Sequence, residues 1–164
     1  CVVLGMGGAW YYTSGWFKYQ GMGVFGVYLL MGLVEPLAAY WALARRVSPE
    51  MVWVSLPIAF LVAAILHAND LRDIRRDSDA GIRTLSIRLG RRGARWLYAF
   101  LVLAPFPMLG LLPQVAPWAM LAAPLAVLAI REAWASEEPK ALLGMTARLH
   151  LVYSVLFILG VCIR

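Results

Sequence analysis

Apolar residues in this chain come in long unbroken blocks, not in the alternation of a strand or the single stripe of a soluble helix. Residues 23–44 contain one charge, Glu35, and residues 51–68 contain none. Residues 96–112 and 113–130 are likewise uncharged. A helix needs about 20 apolar residues to cross the hydrocarbon layer, and lipid offers an open backbone no hydrogen-bond partner. Each block therefore predicts a transmembrane helix. A turn near Leu112-Pro113-Gln114-Val115-Ala116-Pro117 must divide the third block from the fourth, because together they exceed one crossing. The last block, 149–163, crosses only if its helix starts near Pro139 and Arg148 reaches back to the interface. The first block ends at Tyr12 and has no basic segment ahead of it. It is too short for a span and unlike a signal peptide, so it reads as the end of a truncated helix. The expected spans are 1–12 (truncated), 23–44, 51–68, 96–112, 115–134 and 141–163, with a charged loop at 69–95. The fold class expected is all-α, a polytopic transmembrane helix bundle. Residues 1–164 are expected to form one partial domain, a fragment of a longer polytopic protein.

Composition strengthens this picture. Of 164 residues, 62% are hydrophobic and 15% charged, against about 25% charged in ordinary soluble domains. That balance excludes a disordered tail and disfavours a water-soluble globule. The net charge is +6. In a soluble protein it would suggest nucleic acid; here the partner expected is the lipid bilayer, with no nucleic acid. Eight arginines lie in 69–95, and alternation of the spans adds Lys18, Arg131, Lys140 and Arg148 to that side. Arg45, Arg46 and Arg164 fall on the other. Basic residues mark the cytoplasmic side, so the 69–95 connection is expected in the cytoplasm of a bacterial-type inner membrane. Cys1 and Cys162 are far apart and have no metal-ligand spacing.

Acidic residues are few, and four of the nine fall between positions 70 and 79. Asp70, Asp73 and Asp77 stand at i, i+3 and i+7. If the preceding helix continues through them they share one face, with Asn69 beside Asp73. Carboxylates at a membrane-proximal helix end suit a hard cation. Mg²⁺ takes oxygen ligands, commonly one or two carboxylates together with substrate phosphates. Arg72 and Arg83 can then grip phosphate oxygens by paired hydrogen bonds. The plainer alternative is a solvated loop in which Asp neutralises Arg, since most exposed ion pairs contribute little. Spacing alone leaves both open.

The stretch Asn69-Asp70-x-x-Asp73-x-x-x-Asp77, followed by Gly81-x-Arg83-Thr84-Leu and Arg88-Leu-Gly90, resembles the second Asp-rich motif of the UbiA superfamily of intramembrane prenyltransferases. It looks most like the branch that prenylates 1,4-dihydroxy-2-naphthoate in menaquinone synthesis. Upstream, Tyr12-Thr13-Ser-Gly-Trp-Phe-Lys18-Tyr19-Gln-Gly21-Met-Gly23 is similar to a second loop of that branch. The sequence departs from the branch at Asp70, often Asn there, and at Trp16, Gln20 and Ile82. The resemblance implies the C-terminal portion of a nine-helix fold. It implies Mg²⁺-dependent transfer from a polyprenyl diphosphate to an aromatic acceptor, the cation offsetting charge on the leaving diphosphate. Asp73 and Asp77 would be metal ligands, Asp70 a third, and Asp73, Asp77 and Arg72 the catalytic set. Asn69, Arg72, Arg83, Lys18 and Tyr12 would contact substrate. The fragment alone would lack the first Asp-rich motif and show no turnover. Rivals are other acceptors (4-hydroxybenzoate, homogentisate, a chlorophyllide, a haem) and, outside enzymes, a transporter or channel fragment.

Glu35-Pro36 lies inside an apolar span, where a carboxylate points either to function or to a partner elsewhere, and the proline should kink the helix. His67 is either a hydrogen-bonded structural histidine, the commoner case for buried polar groups, or a ligand to the adjacent site. His150 reads as structural, and Trp10, Trp41, Trp53, Trp96, Trp118 and Trp134 as interfacial anchors.

Overall fold

The structure, a computed structural model, describes residues 7, 21–112 and 116–163. Tyr12, Lys18, Trp10 and the expected helix end at 1–12 lie outside the described residues. Among those described there is no strand, and five helices are long and apolar enough to cross a membrane. They are α1 (Gly23–Ala44), α2 (Pro49–Arg72), α4 (Leu85–Leu111), α5 (Pro117–Ala135) and α6 (Leu142–Cys162). A short helix, α3 (Ile74–Asp79), sits between α2 and α4. The chain is an all-α integral membrane protein.

The α2 helix is the hub, with α1, α4 and α6 packed around it. Its inward side chains Leu61, Ala64, Ala68 and Leu71 meet Tyr98 and Val102 of α4 and Tyr153 and Phe157 of α6 in one core. Along α5 the buried positions are Ala119, Ala122, Ala126, Ala129 and Ala133, spaced by three and four. Small residues at helical spacing let backbones approach where lipid supplies no hydrophobic drive between helices. Outward positions such as Phe25, Phe100, Leu128, Leu151 and Ile158 are exposed, as a lipid-facing surface requires.

Buried hydroxyls find partners. The Tyr98 hydroxyl is 2.6 Å from Thr146 Oγ1, which donates to the Leu142 carbonyl at 2.7 Å. Tyr153 donates to the Pro105 carbonyl at 3.3 Å, where α4 turns through Pro105–Met108. In α1 the expected proline kink takes the form of a π-helical turn at Leu30–Val34, in which the Glu35 amide donates to the Leu30 carbonyl. Such a turn shifts the hydrogen-bond register just ahead of Pro36, which cannot donate. Glu35 itself is exposed.

The connection at 69–95 is mostly helical, not a loop. Helix α2 runs on past residue 68 to Arg72, and α4 starts at Leu85, well before the uncharged run. The charges that end the apolar runs do not end the helices, because at the membrane surface they face water.

Candidate functional site

Helix α2 delivers Asn69, Asp70 and Arg72 on its last turn and stops at Asp73 (φ −98°, ψ 12°), where the axis jogs before α3 begins. Backbone hydrogen bonds bridge the jog, from the Asp73 amide to Asn69 O at 3.0 Å and from the Asp77 amide to Asp73 O at 2.8 Å. The single continuous helix through all three aspartates is therefore broken in the middle, and Asp77 sits on a separate short helix. Gly81, with φ +70°, closes α3 while the Ile82 amide returns to Asp77 O at 2.8 Å, a left-handed stop that glycine makes without strain. Thr84 then caps α4, accepting from the Ile87 amide at 3.4 Å. Two residues of the sequence pattern, Gly81 and Thr84, thus serve to turn the chain. Arg83, between them, is exposed.

Around Asp73 the geometry is a fork. Arg72 donates from Nε to Asp73 Oδ1 at 3.0 Å and from Nη2 to Oδ2 at 2.6 Å. The same Nη2 reaches Asn69 Oδ1 at 2.7 Å. Arg76 adds a contact to Asp73 Oδ2 at 3.3 Å. Hydrogen bonds from Arg72, aided by the nearby Arg72 and Arg76 charges and opposed by partial burial, hold the Asp73 carboxyl below the usual carboxylate range. Asn69, Arg72 and Asp73 are thus one bonded unit. Arg76 belongs to it too; its i+3 spacing from Asp73 was the signal that sequence reasoning passed over.

The rim of the site is built from segments distant in sequence. Gly21 has φ +71°, and a Cβ there would lie 3.1 Å from Arg88 Cδ and 3.2 Å from the Leu85 amide. The end of the upstream loop therefore rests on the first turn of α4. Arg91 bonds the Glu137 carbonyl and pairs with its carboxylate at 3.0 Å, and Arg95 donates to Ser136 O at 2.8 Å. Arg95 also stands over the Trp134 ring. Arg75 pairs with Glu138 at 3.6 Å. The connection between α5 and α6 is thereby brought to the same end of the bundle as Gly21 and the aspartates.

Oxygen donors of this kind suit a hard cation such as Mg²⁺. Among the described residues, however, no three His, Cys, Asp or Glu side chains form a group that could hold a metal by themselves. Asp70, Asp73 and Asp77 do not close into a protein cage. The donor set fits the other common arrangement, in which one or two carboxylates share the cation with substrate phosphates.

The UbiA prenyltransferase family model matches residues 1–161. The chain belongs to the UbiA prenyltransferase family. Among its relatives is the UbiA prenyltransferase domain-containing protein 1 homolog of Drosophila melanogaster, 30% identical over 96% of this chain and 45% of that protein. The 1,4-dihydroxy-2-naphthoate octaprenyltransferase of Mycobacterium leprae is 36% identical over 76% of the chain and 44% of its own length. The protein of that name from Escherichia coli is 30% identical over 88% and 50%. The chain spans about half the length of the curated relatives it matches.

Proposed function

We propose that the protein carrying this chain transfers a polyprenyl group from a polyprenyl diphosphate to an aromatic quinone precursor, with 1,4-dihydroxy-2-naphthoate as acceptor. Family membership supports the reaction class, and the names of the mycobacterial and Escherichia coli relatives support the acceptor. The observation that carries the reading is the Asn69–Arg72–Asp73 fork at the membrane-surface end of the hub helix. Guanidinium and carboxylate there are held within bonding distance, ready to exchange partners.

Mg²⁺ would be held by Asp73 and Asp77, with Asp70 beside them, and when bound would offset the negative charge that builds on the departing diphosphate. Arg72 turns from Asp73 toward diphosphate oxygens, which present the same acceptor geometry as a carboxylate. Arg83 adds a second guanidinium from the turn before α4, and Lys18 and Tyr12 would contact substrate, as the motif they belong to implies. Asn69 keeps its amide oxygen on Arg72, fixing the direction of the fork. Apolar faces of the helices shelter the prenyl tail and exclude water from the allylic carbon as it becomes cation-like. The aromatic ring attacks that carbon, the C–O bond to diphosphate breaks, and the acceptor's carboxylate leaves as carbon dioxide. The end of the bundle that carries the motif faces the cytoplasm in this reading.

Full-length Asp73→Asn and Asp77→Asn proteins test the assignment. Each is expected to lose prenyl transfer at least a hundredfold while remaining folded in detergent. Near-native transfer by the double variant contradicts the site.

A further inference from the structure

His67 is completely buried one turn before the aspartates, and the proposed chemistry gives it no part. Its Nε2 lies 2.9 Å from the carbonyl oxygen of Ala94. A carbonyl only accepts, so Nε2 carries the proton and Nδ1 is left as an acceptor. The hydroxyl of Ser86, also completely buried, faces Nδ1 at the longer distance of 3.5 Å. Between Ser86 and Ala94 lies Gly90, whose φ of +67° and ψ of 163° break the helical path of α4. One ring therefore touches α4 on both sides of its kink, from the turn of α2 that leads into Asn69 and Asp70.

We propose that His67 is a positioning residue: its neutral ring struts the end of α2 against both arms of the Gly90 kink. The strut thereby sets the arm carrying Arg83 and Arg88 at a fixed distance from Asp70, Asp73 and Asp77. The kink needs such a strut because a glycine with this backbone geometry is free to change the angle between its arms, whereas a diphosphate bridging the two sides tolerates little error. A displacement of about 1 Å at a reacting centre commonly costs up to a hundredfold. The arm is loaded from outside as well, since Arg88 also supports Gly21. The ring is completely buried between the two helices, so water does not restore the lost bond from α2 to Ala94, and an apolar ring-sized side chain cannot substitute.

The effect on catalysis rests on the prenyl-transfer reading; the strut does not. The test uses full-length protein lacking native cysteines, with spin labels at the exposed positions Ser78 and Leu89, one on α3 and one on the arm that carries Arg88. Pulsed dipolar spectroscopy measures the spread of distances between them. Steady-state kinetics on unlabelled protein measure KM for the prenyl diphosphate and for the acceptor separately. His67→Leu is expected to broaden the distances and raise the diphosphate KM about tenfold, with the acceptor KM unchanged. His67→Gln places an amide N–H near the position of Nε2 and is expected to restore a narrow distribution and a KM within about threefold of native. A narrow distribution in His67→Leu overturns the strut. Broadened distances with an unchanged KM overturn its positioning role, and failure of His67→Gln to restore either overturns the hydrogen bond as its basis. If native protein shows no prenyl transfer, that reading fails instead, and the distance distributions still decide the strut.

Discussion

At Asp73 the carboxylate meets two guanidinium groups. Both of its oxygens accept from Arg72, and one also faces Arg76. A lysine cannot make that fork, because an ammonium is a point donor on a flexible stem. Arg72→Lys is expected to lower kcat/KM about tenfold or more, measured with the diphosphate varied. The depressed Asp73 pKa has a thermodynamic sign as well. An Asp whose folded pKa lies below its unfolded value of about 3.9 stabilises the fold above that pH and loses its contribution as pH falls through the folded value. Thermal unfolding from pH 7 downward should therefore show native protein more stable than Asp73→Asn until about pH 4, with the difference closing only in stronger acid. A difference that closes near neutrality contradicts the pairing. The sequence showed which residue types gather here, and the spacing brought Asn69 to Asp73. It did not show that Arg72 bonds both, because side-chain direction at a helix end depends on where the helix stops.

Helix α1 approaches α2 more closely than side chains would allow. A Cβ on Gly32 would lie 2.4 Å from Ala59 Cβ and 2.6 Å from Ala59 Cα, so any substitution must push backbone against backbone. Gly32→Leu is expected to destabilise the helix pair by about 2–3 kcal/mol, read as a lower unfolding temperature in detergent. An unchanged temperature would contradict the close approach. Gly32 lies within the π-helical turn, a feature hidden from a reading of apolar runs, although Pro36 announced that the hydrogen-bond register must break nearby. The helices themselves were legible because uncharged runs of about twenty residues have few other fates. Their ends were not. In the sequence the charges mark the boundary, while Leu85, with Ser86 and Ile87, already begins an amphipathic turn capped by Thr84. His67 shows the same limit: the sequence offered a buried structural histidine, but its partners Ser86 and Ala94 are distant along the chain and meet it only because α4 folds back over α2.

For the molecule as a whole, the arrangement of helices gathers Gly21, residues 69–95 and residues 136–138 at one end and the 45–48 turn at the other. Single cysteines in a cysteine-free background should therefore label from opposite sides. A membrane-impermeant maleimide is expected to reach Arg46→Cys in intact cells and Arg92→Cys only in inverted vesicles; the reverse pattern contradicts the cytoplasmic site. The apolar excess predicted a membrane bundle, and five helices long and apolar enough to cross a membrane bear it out. Acceptor identity is the least legible property of the sequence, since it depends on pocket shape and not on the Asp-rich pattern. The most direct measurement is mass spectrometry of the product formed by the full-length protein from a polyprenyl diphosphate, 1,4-dihydroxy-2-naphthoate and Mg²⁺. A prenylated, decarboxylated naphthoquinol is expected to appear in step with released diphosphate; diphosphate released as the free prenyl alcohol forms, or no transfer at all, would contradict prenyl transfer to this acceptor.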